Sequence, residues 1–417
     1  MINISSLIPK VLIPRQIEPE IQKYIKDREI IAIRGPRQSG KTTLLLKIAQ
    51  QLIDLDGENS VVYISFEDEL ERLRFEKDPK SFVDYYQQKE GIIYLLLDEV
   101  QYLKNAGQTL KFIYDLYPKI KLIVSGSSTL DISRLSEFLV GRVVFFELLP
   151  LSFAEFISIK DLRLAVEYQK KQFSLKKPCA CQSIFDQELN QYLGEYQTYG
   201  GYPRLVLETD MEKKKTLLSN LFSTYIEKDI VKLYGLPYRE KAIIVLKYLA
   251  EIVGNVVNYH DLSQAAGLSF NQIKEILRIF VETYVISPVF PFHQNLVTEL
   301  KKNPKYYFRD LGFRNLLVNR FEFNQAEKGQ LAENYVYNVL ADQRLSYWRT
   351  TAKAEVDFVL REGKIPIEVK LTPKIERSLL SYIGTYKPEV AVMASVSAKP
   401  PVIRSKTTIY TIPLSLL

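Results

Sequence analysis

The alternation of apolar and polar positions divides the chain into three stretches. Between residues 30 and 153, apolar runs of strand length recur: IIAI at 30–33, VVYISF at 61–66, IIYLLLDEV at 92–100, IKLIVSGSS at 120–128 and VVFFELLPLSF at 143–153. Segments of helical spacing separate them, the first beginning near Lys41. Strands that are apolar along their whole length are buried on both faces, so this stretch predicts a parallel sheet covered by helices. The last run reads as a fifth strand that leaves the sheet.

The second stretch, 156–235, repeats apolar residues at helical spacing, most clearly in KTLLSNLFSTYIEKDIVKLYG, with YQKKQFSLKKPCACQS as an exposed interruption. Residues 236–300 then predict a helix (REKAIIVLKYLAEIVG), a short helix over 260–266, a tight turn at Gly267 and a second helix of about fifteen residues capped by Ser269. The β-like YVISPVFPF follows, an order that resembles a winged helix-turn-helix. Its second helix presents Asn271, Gln272, Lys274 and Arg278 as candidate contacts to phosphates and base edges. The third stretch, 301–417, mixes a helix (GQLAENYVYNVLA) with strands at 354–360 and 365–371. The expected domains are therefore 1–155, 156–235, 236–300 and 301–417, in an α/β multidomain chain.

The turn between the first strand and the first helix carries the most specific chemistry. Gly35-Pro36-Arg37-Gln38-Ser39-Gly40-Lys41-Thr42-Thr43 contains the G-x-x-x-x-G-K-[ST] phosphate loop in its required place, after a buried strand and at a helix start. Its glycines let backbone N–H groups turn inward around a phosphate chain at the positive end of the helix dipole. Lys41 is placed to reach the β/γ-phosphates of ATP, and the Thr42 hydroxyl to ligate Mg²⁺.

About 60 residues later the 92–100 strand ends in Asp98-Glu99. Asp98 is expected to hold the Mg²⁺ and Glu99 to orient or deprotonate the attacking water. The next strand ends in Ser125 and Ser127, candidate polar groups beside the γ-phosphate. Arg134 and Arg142 are candidates for a cation supplied in trans to a neighbouring subunit's nucleotide, which would imply a homo-oligomeric ring.

A second constellation lies near the end. Glu333 stands near the start of its helix, Asp357 on the strand 354–360, and Glu368 with Lys370 on one face of the next strand. A hairpin at 361–364 would bring Asp357 beside Glu368. D-x10-E-x-K on adjoining strands, with a helical glutamate upstream, resembles the PD-(D/E)xK nuclease core, where carboxylates hold Mg²⁺ and the lysine assists water. This third of the chain is also its basic part. Residues 301–417 hold 19 Lys and Arg against 11 Asp and Glu, whereas the first 300 residues are nearly balanced, so the whole-chain charge of +7 points to a polyanion such as DNA at this end.

Composition narrows the class. An apolar fraction of 47% with 25% charged residues belongs to a globular protein, and no apolar run is long enough to span a membrane. The start Met-Ile-Asn-Ile lacks the pattern of a signal peptide, so a cytoplasmic location is expected. Cys179 and Cys181 are one residue apart, and His260 and His293 are distant, which gives no metal-ligand spacing.

Together GPRQSGKTTLL, LLLDEVQYL, IVSGSS, LVGRVVFFELLPLSFAEF and Gly200-Gly201-Tyr202-Pro203 resemble the archaeal and bacterial AAA-type ATPases that carry a C-terminal domain of unassigned function. The resemblance implies that Gly201 and Pro203 lie near the nucleotide base and that residues 156–235 form a helical lid. The resulting expectation is an ATP-hydrolysing machine that acts on DNA. The alternative is a nucleotide-dependent switch whose C-terminal domain binds a protein partner.

Overall fold

The computed structural model describes residues 4–9, 11–87, 91–127, 138–174, 184–232, 239–292 and 302–417. Two compact units emerge, one formed by residues 1–150 with 282–284 and the other by 151–281 with 285–417. Among the described residues no helix is long and apolar enough to cross a membrane.

In the first unit, β1 (Ile30–Arg34), β2 (Val61–Ser65), β3 (Ile93–Asp98), β4 (Ile120–Gly126) and β5 (Val143–Glu147) form one sheet in the order β2-β3-β4-β1-β5. Every pairing is parallel. Because side chains alternate along a strand, β1 feeds two cores at once. Ile30 and Ala32 enter one apolar cluster, and Ile31 and Ile33 enter the other with Leu44, Leu45 and Ile48 of the helix Lys41–Asp56. The fifth strand does not leave the sheet as expected. It stays as the edge, paired with β1 from Ile30↔Val143 to Arg34↔Glu147, and the chain departs only after that.

The second unit begins with helices, including Phe153–Lys160, Leu162–Lys171, Asp186–Tyr199 and Met211–Thr224. Ser152 and Glu155 close a capping box on the first of these. Two further helices, Tyr259–Ala266 and Phe270–Glu282, are separated by Gly267, whose left-handed backbone ends the first. A hairpin follows in which β6 (Ile286–Val289) pairs antiparallel with β7 (Lys305–Phe308). The break expected at 300/301 therefore falls between two strands of one hairpin. The last sheet has six strands: β8 (Leu345–Arg349), β9 (Glu355–Leu360), β10 (Ile365–Val369), β11 (Val390–Ser395), β12 (Lys399–Arg404) and β13 (Thr407–Pro413). Their order is β12-β13-β11-β10-β9-β8, with β10, β11 and β13 parallel and the rest antiparallel.

The Gly200-Gly201 turn has a packing reason within this unit. Gly200 takes a φ of 80°, and a Cβ there would lie 2.2 Å from the Asp310 carboxylate. Asp310 accepts from the Gly201 N–H at 2.7 Å and caps the helix Leu311–Leu317 by accepting from the Phe313 N–H at 2.9 Å. Burial lifts the Asp310 carboxyl to about 6, against the lowering effect of those N–H groups. A carboxyl whose folded value lies above its unfolded value stabilises the fold at low pH and loses that contribution as pH rises. The stability advantage of the wild type over Asp310→Asn should thus shrink by about 2 kcal/mol between pH 4 and pH 7. Denaturant titrations at the two pH values measure it, and an advantage that grows with pH would contradict the assignment.

Candidate functional site

The phosphate loop is shaped by two close approaches. Gly35 leaves β1 with its Cα so near Leu148 that a Cβ would stand 2.1 Å from the Leu148 carbonyl oxygen. Gly40 caps the helix Lys41–Asp56 with a φ of 99°, a left-handed conformation that favours glycine. Lys41 is buried, and its Nζ donates to the Gly35 and Pro36 carbonyls at 2.9 Å each. The Ser39 hydroxyl is buried without a hydrogen-bond partner. Arg15, which sequence reasoning missed, braces the loop by donating to the Ser39 carbonyl at 2.9 Å and the Leu149 carbonyl at 2.7 Å. Pro36 is buried, Gln38 is exposed with a φ of 60°, and Arg37 donates to the Tyr102 hydroxyl at 3.1 Å.

The strand order brings the remaining groups to this loop. Because β4 lies between β1 and β3, Ser125 sits opposite Ile33 and beside the end of β3. Asp98 gathers three hydroxyls: Thr42 donates to it at 2.8 Å, Tyr63 at 3.0 Å, and Ser125 to its other oxygen. Burial raises the Asp98 carboxyl, the nearby Glu99 adds to this, and the three hydroxyl donors oppose it. Tyr63 is held protonated by burial and by the Asp98 charge. It too was missed, since a tyrosine inside an apolar strand reads as core.

Glu99 follows in a left-handed turn with a φ of 57°, which swings it out of the strand direction. Its N–H donates to the Ser125 hydroxyl at 3.3 Å, and its carboxylate accepts from the Gln101 side-chain amide. The Gln101 oxygen in turn accepts from the Ser127 N–H at 3.2 Å. Gln101 thus ties Glu99 to the loop after β4. No expectation included it, although two residues beyond Glu99 is within reach of such a bridge.

Lys41, Thr42, Asp98 and Ser125 are therefore brought together, with Glu99 and Ser127 joined to them. Arg142 is elsewhere: its carbonyl accepts from the Ile30 N–H at the N-terminal end of β1, the edge opposite the phosphate loop. Its guanidinium pairs with Asp115 at 2.9 Å. Arg134, His293, Cys179 and Cys181 lie outside the described residues. Gly201 and Pro203 belong to the second unit.

The C-terminal constellation assembles as a charged cluster of different content. Asp357 on β9 and Glu368 on β10 adjoin, Asp357 accepting from the Val369 N–H at 2.8 Å. Lys370 pairs with Glu368 at 3.1 Å. Glu333, however, meets a cation from β7. The buried Lys305 ammonium lies 3.2 Å from Glu333 and 2.6 Å from Glu355, and the Tyr307 hydroxyl donates to the same Glu333 oxygen at 2.6 Å. Burial by itself pulls the Lys305 ammonium down, but Glu333, Asp357 and Glu355 more than offset it and hold it charged. Burial pushes the Asp357 carboxyl well up, and the Glu333 and Glu368 charges push it further.

These residues do not fit a resident divalent ion. Mg²⁺ requires about six oxygens, and the Lys305 ammonium already takes the Glu333 and Glu355 side of the cluster and would repel a second cation there. Among the described residues no group of three or more His, Cys, Asp or Glu is arranged to hold a metal. Of the metal set expected at Glu333, Asp357 and Glu368, Asp357 and Glu368 adjoin, while Glu333 is engaged by Lys305 and Tyr307. One oxygen each of Asp357 and Glu368 is left without a hydrogen-bond partner, the Glu368 one buried.

Known proteins resemble the chain in the same segments. Residues 27–157 match the family model described as an AAA domain. The first unit thus carries an AAA-type P-loop ATPase fold. Residues 190–324 and 328–416 match two models described as domains of unknown function. An uncharacterized protein of Haemophilus influenzae is 26% identical over 369 residues, covering 85% of each chain. One from Methanocaldococcus jannaschii is 25% identical over 396 residues, 89% of this chain and 82% of its own. Among solved structures, the Aeropyrum pernix ORC1 protein in complex with DNA aligns at 11% identity with a TM-score of 0.33, over 75% of this chain and 94% of that one. AMPPCP-bound DnaA from Aquifex aeolicus aligns at 17% identity and 0.32, over 67% and 91%.

Proposed function

We propose that this protein binds and hydrolyses ATP in the first unit and uses the cycle to act on DNA. The observation that carries the hydrolytic reading is Asp98, buried at the end of β3 with Thr42 and Ser125 donating to it and Glu99 next in the chain. Residues 35–43 cradle the phosphates through backbone N–H groups, and Lys41 leaves the Gly35 and Pro36 carbonyls to meet the β/γ-phosphates. The Thr42 hydroxyl and the Asp98 carboxylate, 2.8 Å apart, are hard oxygen donors that fit Mg²⁺. When bound, Mg²⁺ neutralises charge developing on the phosphates. Glu99 orients and deprotonates the attacking water, steadied by Gln101, while Ser125 and Ser127 supply polar groups beside the γ-phosphate. Arg134 or Arg142 is proposed to act in trans within an oligomer.

DNA is assigned to the second unit. Asn271, Lys274 and Arg278 are exposed on the helix Phe270–Glu282, whereas Gln272 is engaged by the Ser269 N–H at 2.9 Å. The basic excess of residues 301–417 supports the same assignment, although Lys305 and Arg314 are buried and belong to the interior. Holding rather than cutting DNA is the reading favoured by the Lys305-centred cluster.

The direct test is ATP turnover measured without DNA and with duplex, forked, junction and single-stranded DNA. At least one substrate should raise the rate several-fold, with an effect that weakens steeply as salt increases. Identical rates across the panel would sink the DNA assignment and favour a protein partner.

A further inference from the structure

We infer that Lys305 is the built-in cation of the C-terminal carboxylate cluster, so that this domain works without a divalent metal. The inference deepens the DNA-holding reading but rests on separate observations, since it concerns which cation the cluster takes and not what the protein acts on.

Four elements converge on the cluster. Lys305 rises from the start of β7, Glu333 from the helix Gln325–Leu340, Glu355 and Asp357 from β9, and Glu368 and Lys370 from β10 and its end. The Lys305 side chain is 1% exposed. A buried ammonium is tolerated only where charge and hydrogen bonds replace water. Lys305 has both, in Glu333 and Glu355, and its Nζ also lies 5.5 Å from the centre of the Tyr347 ring.

The carboxylates are committed accordingly. One Glu333 oxygen accepts from Lys305 and Tyr307 together. The other is hemmed in by the Gly254 turn, where even a Cβ would stand 2.8 Å away. Asp357 spends one oxygen on the Val369 N–H, and Glu368 spends one on Lys370. Tyr307 is itself fixed by stacking on Tyr337 at 4.9 Å. A divalent ion at the remaining Asp357 and Glu368 oxygens would sit beside a fixed positive charge. The ammonium does the neutralising instead, with three N–H donors that no metal exchange can remove.

The consequence is a domain with the carboxylate layout of a metal-dependent nuclease and no place for the metal. It would hold a nucleic-acid backbone through its remaining exposed cations and leave the strand intact.

The test uses the full chain with Asp98→Asn, which silences the proposed ATP-side Mg²⁺ position. Mn²⁺ is titrated while free Mn²⁺ is read by electron paramagnetic resonance and stability by thermal melting. The expected result is no Mn²⁺ bound at micromolar concentrations and no shift in melting. Lys305→Met in the same background, which leaves the carboxylates uncompensated, should melt about 10 °C lower and recover with millimolar Mn²⁺ or Mg²⁺. Mn²⁺ binding by the parent chain that disappears on Asp357→Asn would overturn the inference. So would Mn²⁺-dependent cleavage of labelled DNA abolished by Asp357→Asn, or a Lys305→Met chain as stable as its parent. If Lys305→Met does not fold, the Mn²⁺ titration of the parent decides alone. None of these readouts requires DNA stimulation of ATP turnover, so the two proposals fail separately.

Discussion

Lys41→Ala is expected to abolish ATP turnover and to weaken nucleotide binding by about a hundredfold or more. Lys41 is buried at the start of its helix, with its ammonium held at the mouth of the loop by two loop carbonyls. No other lysine or arginine stands in the phosphate loop except Arg37, which is turned toward Tyr102 and Glu67. Charge-assisted hydrogen bonds to a phosphate contribute about 1.5–3 kcal/mol each, so losing one group that makes two of them accounts for the expected drop. Calorimetric titration with a non-hydrolysable ATP analogue measures the affinity, and phosphate release measures turnover. Circular dichroism guards against misfolding, because the substitution also frees the Gly35 and Pro36 carbonyls. Turnover within tenfold of the wild type would overturn the site.

The second large effect separates chemistry from binding. Glu99→Gln should keep ATP bound at near wild-type affinity while lowering turnover by about 10²–10⁴-fold, the usual contribution of a positioned general base. The amide keeps the shape of the carboxylate and still offers an oxygen to Gln101, so the left-handed turn at residue 99 has no reason to move. What it loses is basicity. A single-turnover experiment with labelled ATP should show slow conversion and retained nucleotide. Loss of binding would make Glu99 a structural residue of the loop, and unchanged turnover would remove it from the chemistry.

The parts of this protein that were legible beforehand are those in which neighbours in sequence are neighbours in space. The strand, loop and helix around Gly35 are contiguous, and the residue types alone specify a left-handed turn, a buried strand and a helix start. Asp98-Glu99 was legible for a similar reason, since an acidic pair at the end of an apolar run must sit at a strand's end. The helices before the C-terminal sheet were announced by their spacing, with Gly267 between two of them as expected.

Other features depended on partners far away in the chain. The run 143–153 reads as a strand that leaves the sheet, yet VVFFE takes the edge place beside β1. Lys305 sits in a run of basic residues and was counted with the surface charge. Only the pairing of β6 with β7, and the packing around Glu333, turn it inward. Asp310 caps its own helix, and the Gly201 N–H that it also serves lies 109 residues earlier.

By itself, the sequence determined that a phosphate loop opens a helix after a buried strand and that an acidic pair ends another strand of the same sheet. It could do so because backbone conformation and side-chain periodicity act over a few consecutive residues. Tertiary structure decided the rest: that β4 delivers Ser125 to Asp98, that Gln101 ties Glu99 to the neighbouring loop, and that a lysine stands among the C-terminal carboxylates. Those outcomes follow from which distant strands pair and what their burial leaves for each charge to meet, and no local pattern carries that information.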